Sequence, residues 1–188
     1  MRVTLIRHGA VEERYAGCYN GHLDIALSES GREEARQLAE RFAPEHFDAV
    51  WCSDLKRARQ TLEPFDLNVE VHYTAALREK SWGRHEGRSY GEIVAEEGAG
   101  YESFEQWLSL LDGEPWEPYL DRLQSFFETL FAQPCKNVLV VTHAGVIRGL
   151  FARFGGMGLE EAFGTALPHG SYVTYESETH RFGEVACA

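Results

Sequence analysis

Short apolar runs alternate with amphipathic stretches along the whole chain. Val3 to Ile6 reads as a buried strand, followed by a loop carrying Gly9, Gly17 and Gly21. Ser30 and Glu33 fit a capping box, and Ala35, Leu38, Ala39 and Phe42 then recur at helical spacing up to Pro44. Asp48 to Cys52 predicts a second short strand. Ser53 is placed to cap a helix carrying Leu55, Ala58 and Leu62, ending near Pro64. Val69 and Val71 alternate with polar neighbours, as in a third strand. Leu120, Leu123, Phe127, Leu130 and Phe131 trace a long amphipathic helix. Asn137 to Thr142, with four consecutive apolar residues, is the strongest strand signal, and a helix from Val146 to Phe154 follows it. Tyr172 to Tyr175 and the stretch from Arg181 to Val185 predict a closing hairpin.

Strands that alternate with helices imply an α/β fold with a mainly parallel central sheet flanked by helices on both faces. The middle, about residues 82–118, breaks this rhythm. It is rich in Gly, Trp and Pro, and Gly98, Gly100, Gly113, Pro115 and Pro118 interrupt it. It is expected to be a lid-like excursion above the core of a single domain spanning residues 1–188.

Composition narrows the function classes. A net charge of −12 argues against a broad nucleic-acid surface, so any anion site must be a focused positive pocket. The apolar runs are too short for a bilayer, and the N-terminus lacks the pattern of a signal peptide. Cys18, Cys52, Cys135 and Cys187 form no CxxC pair or zinc spacing, which fits reduced thiols and a cytoplasmic location. None of the eight histidines lies in an HExxH pattern, so no metal and no cofactor is expected.

Chemistry concentrates where strands end. Arg7-His8-Gly9 follows the first strand, and His143-Ala144-Gly145 follows the strongest one. Ligands of open α/β sheets bind beyond the carboxyl ends of strands. If these two strands are neighbours, two imidazoles face each other there. Arg57 falls in the first turn of its helix, where a cation opposes the helix dipole and calls for a compensating anion. Arg59 reads as a solvated surface residue.

These segments resemble the histidine phosphatase superfamily, the phosphoglycerate-mutase-like fold. Leu5-Ile6-Arg7-His8-Gly9 is similar to its nucleophile motif, and Gly21 to Ser28 with Gly31 resembles the following loop and helix entry. Ser53 to Thr61 resembles the second arginine motif, and Leu77-Arg78-Glu79 with Trp82-Gly83 and Glu86-Gly87 the acidic loop. Val141 to Arg148 resembles the second histidine motif. The resemblance implies that His8 becomes phosphohistidine, that Arg7, Arg57 and His143 hold the phosphoryl oxygens, and that Glu79 protonates the leaving oxygen. Glu86 and Asp24 are the alternatives for that acid. Histidine attacks phosphorus only when neutral. Nearby arginines favour that state, and a backbone carbonyl on the other ring nitrogen would fix the tautomer. Beside a phosphate dianion, like charge favours the protonated form of the acid.

Arg14 stands where many relatives carry an asparagine, and two orientations are open for it: onto the phosphate or into water. Gly17-Cys18-Tyr19-Asn20-Gly21 with Asp24 is similar to the loop of α-ribazole phosphatases of cobalamin biosynthesis, which makes Asn20 and Gly21 candidate substrate contacts. Tyr90, Tyr101, Phe104, Trp107 and Trp116 could stack on a flat base or simply pack the excursion. His22, His85 and His169 are candidates to line the pocket, while His46, His72 and His180 read as surface residues. The implied function is a metal-independent phosphomonoesterase acting on a small phosphorylated metabolite, α-ribazole 5′-phosphate being one candidate. The alternatives are a cofactor-dependent phosphoglycerate mutase and a non-catalytic phospho-ligand module. The oligomeric state stays open.

Overall fold

A computed structural model describes residues 1–188. The first strand, β1 (Arg2–Arg7), is followed by the glycine-bearing loop and by α1 (Glu29–Phe42). Then come β2 (Ala49–Ser53), α2 (Lys56–Leu62) and β3 (Val71–Thr74). Two short helices, α3 (Tyr90–Glu97) and α4 (Phe104–Leu110), precede the long α5 (Trp116–Phe131). The chain closes with β4 (Asn137–Thr142), α6 (Ala144–Phe154), α7 (Leu159–Gly164), β5 (Ser171–Glu176), β6 (Arg181–Phe182) and β7 (Ala186–Cys187).

The sheet order is β3-β2-β4-β1-β5-β6, with β7 also on β5. β1, β2, β3 and β4 are mutually parallel, while β5 runs antiparallel to β1 and forms the expected hairpin with β6. β4 lies between β2 and β1, which is why its four central residues are all apolar: both its faces and both its edges are covered. Its residues split by parity. Val138 and Val140 join Val3 and Leu5 under α5 and α6, whereas Leu139 and Val141 join Ile6 and Cys52 under α1 and α2. The mainly parallel sheet between two helical layers is thus present as expected.

Local details depart from expectation at four places. The cap of α1 is Ser28, whose Oγ accepts from Gly31 N at 3.0 Å, while Ser30 lies inside the helix and Glu33 pairs with Arg36. The helix starts early because Gly31 packs against the Ala10 backbone, where a Cβ would collide with the Ala10 carbonyl. Ser53 belongs to β2, and Leu55, without a side-chain bond, occupies the cap position of α2. Pro118 does not break structure but sits in the first turn of α5, where its missing N–H costs nothing. The short α7 has no clear apolar period in the sequence; only Ala162 of it is buried.

The middle segment contributes no strand to the sheet. Between Trp82 and Pro115 it holds α3 and α4, and Ile93, Trp107 and Leu111 form a separate small cluster with Tyr19 and Trp82 at its edge.

The contact between Gly31 and the Ala10 backbone is intolerant of any side chain. Gly31→Ala is expected to destabilise the protein by about 1–3 kcal/mol, the usual range for overpacking, read as a lower urea midpoint.

Candidate active site

Because β2, β4 and β1 are adjacent and parallel, their carboxyl ends open at one edge of the sheet. Ser53, His143 and His8 stand there side by side. The His8 and His143 rings are 5.1 Å apart between centroids, at an edge-to-face angle of 62°. The expectation that the two imidazoles face each other holds geometrically.

His8 is 6 % exposed. Its main chain continues the sheet, donating from N to the Thr142 carbonyl at 3.0 Å. Nδ1 donates to the Gly9 carbonyl at 2.8 Å, which leaves Nε2 as an unprotonated acceptor. Arg57 Nε donates to that Nε2 at 3.2 Å. Burial above all, then Arg57, Arg7 and His169, hold the imidazole well below its usual range, so it is neutral at pH 7.

Arg57 is 2 % exposed and is held by backbone oxygens, with Nη1 on Leu23 and Nη2 on Gly21 at 2.8 Å each. Gly21 is at φ +44°, and a side chain there would strike the Glu86 carboxylate. The helix-dipole reading of Arg57 needs correction. α2 has seven residues, and its first N–H, on Lys56, is already bound to Asp24 Oδ1 at 2.6 Å. Arg57 is therefore anchored by the 21–23 loop. Arg7 donates to the Leu167 carbonyl and, through Nη2, to His169 Nε2 at 2.8 Å; its Nε is buried without a partner. Burial lowers both guanidinium groups to about 10, and both remain cationic at neutral pH.

Glu79 is clamped by three donors. Lys80 N and the Tyr119 hydroxyl reach Oε1 at 2.9 and 3.2 Å, and Gly145 N reaches Oε2 at 2.9 Å. Gly145 must be glycine, since a Cβ would overlap this carboxylate. The two alternative acids have other partners. Asp24 binds the start of α2, and Glu86 Oε1 accepts from His22 N, Trp82 N and the Ser81 hydroxyl.

Two cavities meet at Glu79. The smaller, about 290 Å³, is lined by Arg7, His8, Asn20, Gly21, Arg57 and His169 among others. The larger, about 620 Å³, is walled by Trp82, Tyr90, Trp107, Trp116 and Phe163. Glu79, Tyr19, Trp82 and Arg148 line both. Lys80, 2 % exposed, lies against the Trp82 and Trp116 rings, its Nζ 4.4 and 5.2 Å from their centroids.

Arg14 settles on the outward orientation. Its side chain is 72 % exposed and paired with Glu12 at 3.2 Å, and it does not line the smaller cavity. The departing chain already turns at Glu13–Tyr15, which carries Arg14 away from the pocket. His143 is wholly buried and reaches the smaller cavity through its contact with the His8 ring, which lines it. Asn20 and Gly21 do line it; Asn20 Nδ2 donates to the Tyr15 carbonyl at 2.9 Å, and its Oδ1 has no partner. His169 reaches the pocket, and His22 touches its edge through the Glu79 carbonyl. His85 does not: it is fully buried, bonded to Glu97 and the Asp112 N–H. Arg148 was assigned no role from sequence. Its place one helical turn beyond Ala144, the residue after His143, is the periodic signal that could have found it.

A neutral imidazole with a free Nε2, two buried guanidinium groups and a clamped carboxylate define a site for covalent phosphoryl transfer. Comparison with known proteins agrees. Residues 3–187 match the model of the histidine phosphatase superfamily (branch 1). The chain is 35 % identical over 161 residues to an adenosylcobalamin/alpha-ribazole phosphatase of Salmonella typhimurium, covering 81 % of this chain and 79 % of that protein. It is 33 % identical over 166 residues to the protein of the same name in Escherichia coli K12, with coverage of 85 % and 82 %. The crystal structure of the alpha-ribazole phosphatase from Shigella flexneri superposes with a TM-score of 0.86 at 29 % identity, covering all of this chain and 96 % of that one. The chain belongs to the histidine phosphatase superfamily and is a phosphatase.

Buried neutral imidazoles make stability depend on pH. His8 and His143 lie well below 6.5, and His169 is lowered to about 4, in each case chiefly by burial. Below pH 6.5 the unfolded chain binds protons that the folded chain refuses, so stability is complete above that pH and falls as pH drops. The urea midpoint should decrease from pH 7 to pH 5, and His169→Gln should make that decrease smaller. An equal decrease in both proteins would remove His169 from this account.

Proposed function

We propose that the chain hydrolyses a phosphomonoester whose leaving alcohol carries a flat aromatic base, with α-ribazole 5′-phosphate as the specific candidate. The observation that carries this reading is the position of Glu79 at the junction of the two cavities. The smaller cavity has the donors for a phosphoryl group, and the larger has aromatic walls suited to a planar ring. The bond to be broken then lies beside the carboxylate.

In the proposed reaction His8 Nε2 attacks phosphorus in line with the leaving oxygen. Arg57 exchanges its bond to Nε2 for a phosphoryl oxygen, and Arg7 takes another through its planar fork. The P–O bond breaks as a proton passes from Glu79 to the leaving oxygen. Water then attacks the phosphohistidine while Glu79 takes up its proton, and departing phosphate restores the His8 lone pair. Developing charge on the equatorial oxygens is met by donors already in place.

Glu79→Gln should lower turnover of an alkyl phosphate by about 10²-fold or more, the usual size of general acid catalysis. The loss should be much smaller with p-nitrophenyl phosphate, whose leaving group needs no proton. Equal losses on both substrates would refute the acid role. Across a panel of α-ribazole 5′-phosphate, sugar phosphates, phosphoserine and 3-phosphoglycerate, the aromatic monoester should have the highest kcat/KM, and activity should persist in EDTA. A preference for 3-phosphoglycerate, or isomerisation of it, would point instead to mutase chemistry.

A further inference from the structure

Ser53 and His143 meet at the carboxyl ends of β2 and β4, and neither is accessible to water. Ser53 Oγ lies 2.8 Å from His143 Nε2. The only other neighbour bonded to that hydroxyl is the Leu55 N–H, at 3.4 Å, which is itself a donor. The hydroxyl proton therefore has one acceptor within reach, and that acceptor is Nε2. The imidazole is neutral, because burial and the adjacent Arg57 disfavour a second proton. It carries a single N–H, and with Nε2 accepting, that N–H is on Nδ1. Nδ1 is buried and has no partner in the protein.

Strand order gives the orientation. β4 lies between β2 and β1, so Ser53 flanks His143 on one side and His8 flanks it on the other. A buried N–H without an acceptor is costly, so this corner favours the arrival of one. In the proposed reaction the acceptor-rich phosphoryl group is carried on His8, whose ring centroid is 5.1 Å from that of His143.

We propose that Ser53 is a positioning residue for phosphoryl transfer: its hydroxyl donates to His143 Nε2, fixes the Nδ1–H tautomer, and so presents that N–H to the phosphoryl group. The proposal rests on the reading of His8 and its neighbours as the phosphoryl site. In the opposite tautomer Nδ1 would offer a lone pair to an anion, turning an attraction into a repulsion. A serine protease whose histidine takes the wrong tautomer loses about 10⁴-fold in turnover with its geometry intact, which shows how large such an effect can be.

The test begins with the unmodified protein. Nitrogen-15 spectra of its histidine rings, with His143 assigned through His143→Gln, should show Nδ1 protonated and Nε2 bare. A protonated Nε2 would overturn the proposal outright. Ser53→Ala should then lose about 10²-fold in kcat, with a larger effect on kcat than on KM, and its His143 signals should move toward the Nε2–H form. Ser53→Thr, which keeps a hydroxyl, should restore both turnover and tautomer. Parental turnover in Ser53→Ala, or loss of turnover with an unchanged Nδ1–H tautomer, would refute the role. Failure of the underlying site reading looks different: His143→Gln would then hydrolyse p-nitrophenyl phosphate at the parental rate whatever the tautomer.

Discussion

Arg57 is withdrawn from water, yet each of its guanidinium nitrogens has a partner: the Leu23 carbonyl, the Gly21 carbonyl and His8 Nε2. Burying an unpaired cation costs far more than a single hydrogen bond returns, so these three contacts must be kept together. They join the end of β1, the loop after it and the start of α2 into one unit. Asp24 tightens the same junction by binding Lys56 N, and Thr61 does so from one turn along α2 by accepting from Gly9 N at 3.0 Å. The loop conformation, the positive φ of Gly21 and the orientation of the His8 ring follow from keeping one guanidinium satisfied.

The sheet decides what this unit can face. Parallel neighbours end at the same edge, so the side chains just past β2, β4 and β1 converge although they lie far apart in the chain. Thr142, the last residue of β4, accepts from His8 N and donates from its own hydroxyl to the Leu77 carbonyl at 2.8 Å. That second bond brings the 77–79 segment beneath the site, where Gly145 N and the Tyr119 hydroxyl hold Glu79. A carboxylate so held is positioned by backbone and helix rather than by its own rotamer preferences. This precision is what proton transfer at a fixed distance requires.

Much of this was legible in the sequence because it depends on period and placement. Short, largely apolar runs identify β1 and β4, and strand ends followed closely by glycine identify His8 and His143. The motif order then supports Arg7, Arg57 and Glu79. What was not legible depends on distance across the fold. Nothing local distinguishes Ser28 from Ser30 as a cap, because the choice is made by the Ala10 backbone packing against Gly31. Nothing local shows that Arg14 turns outward to Glu12, or that Ser53, at the end of β2, meets His143 ninety residues away. His85 and His169 look alike in sequence; burial against Glu97 makes the first structural, and contact with Arg7 puts the second in the pocket.

Charge and apolar surface have separate tasks in this site. A body of net charge −12 repels a phosphate dianion at a distance, so long-range attraction cannot be the main source of affinity. In the proposed reading the cavity beyond Glu79 supplies affinity of another kind, through uncharged aromatic walls. Contacts remote from the reacting bond that are alike in substrate and transition state favour occupancy without altering the barrier. The buried donors around His8 act on charge that redistributes as phosphorus changes partners. Lys80 against the Trp82 and Trp116 rings places a cation behind the aromatic wall, leaving those ring faces less receptive to a second one. In the proposed reaction the leaving group is accordingly held by neutral, planar contact, and the cationic groups remain for the phosphoryl group alone.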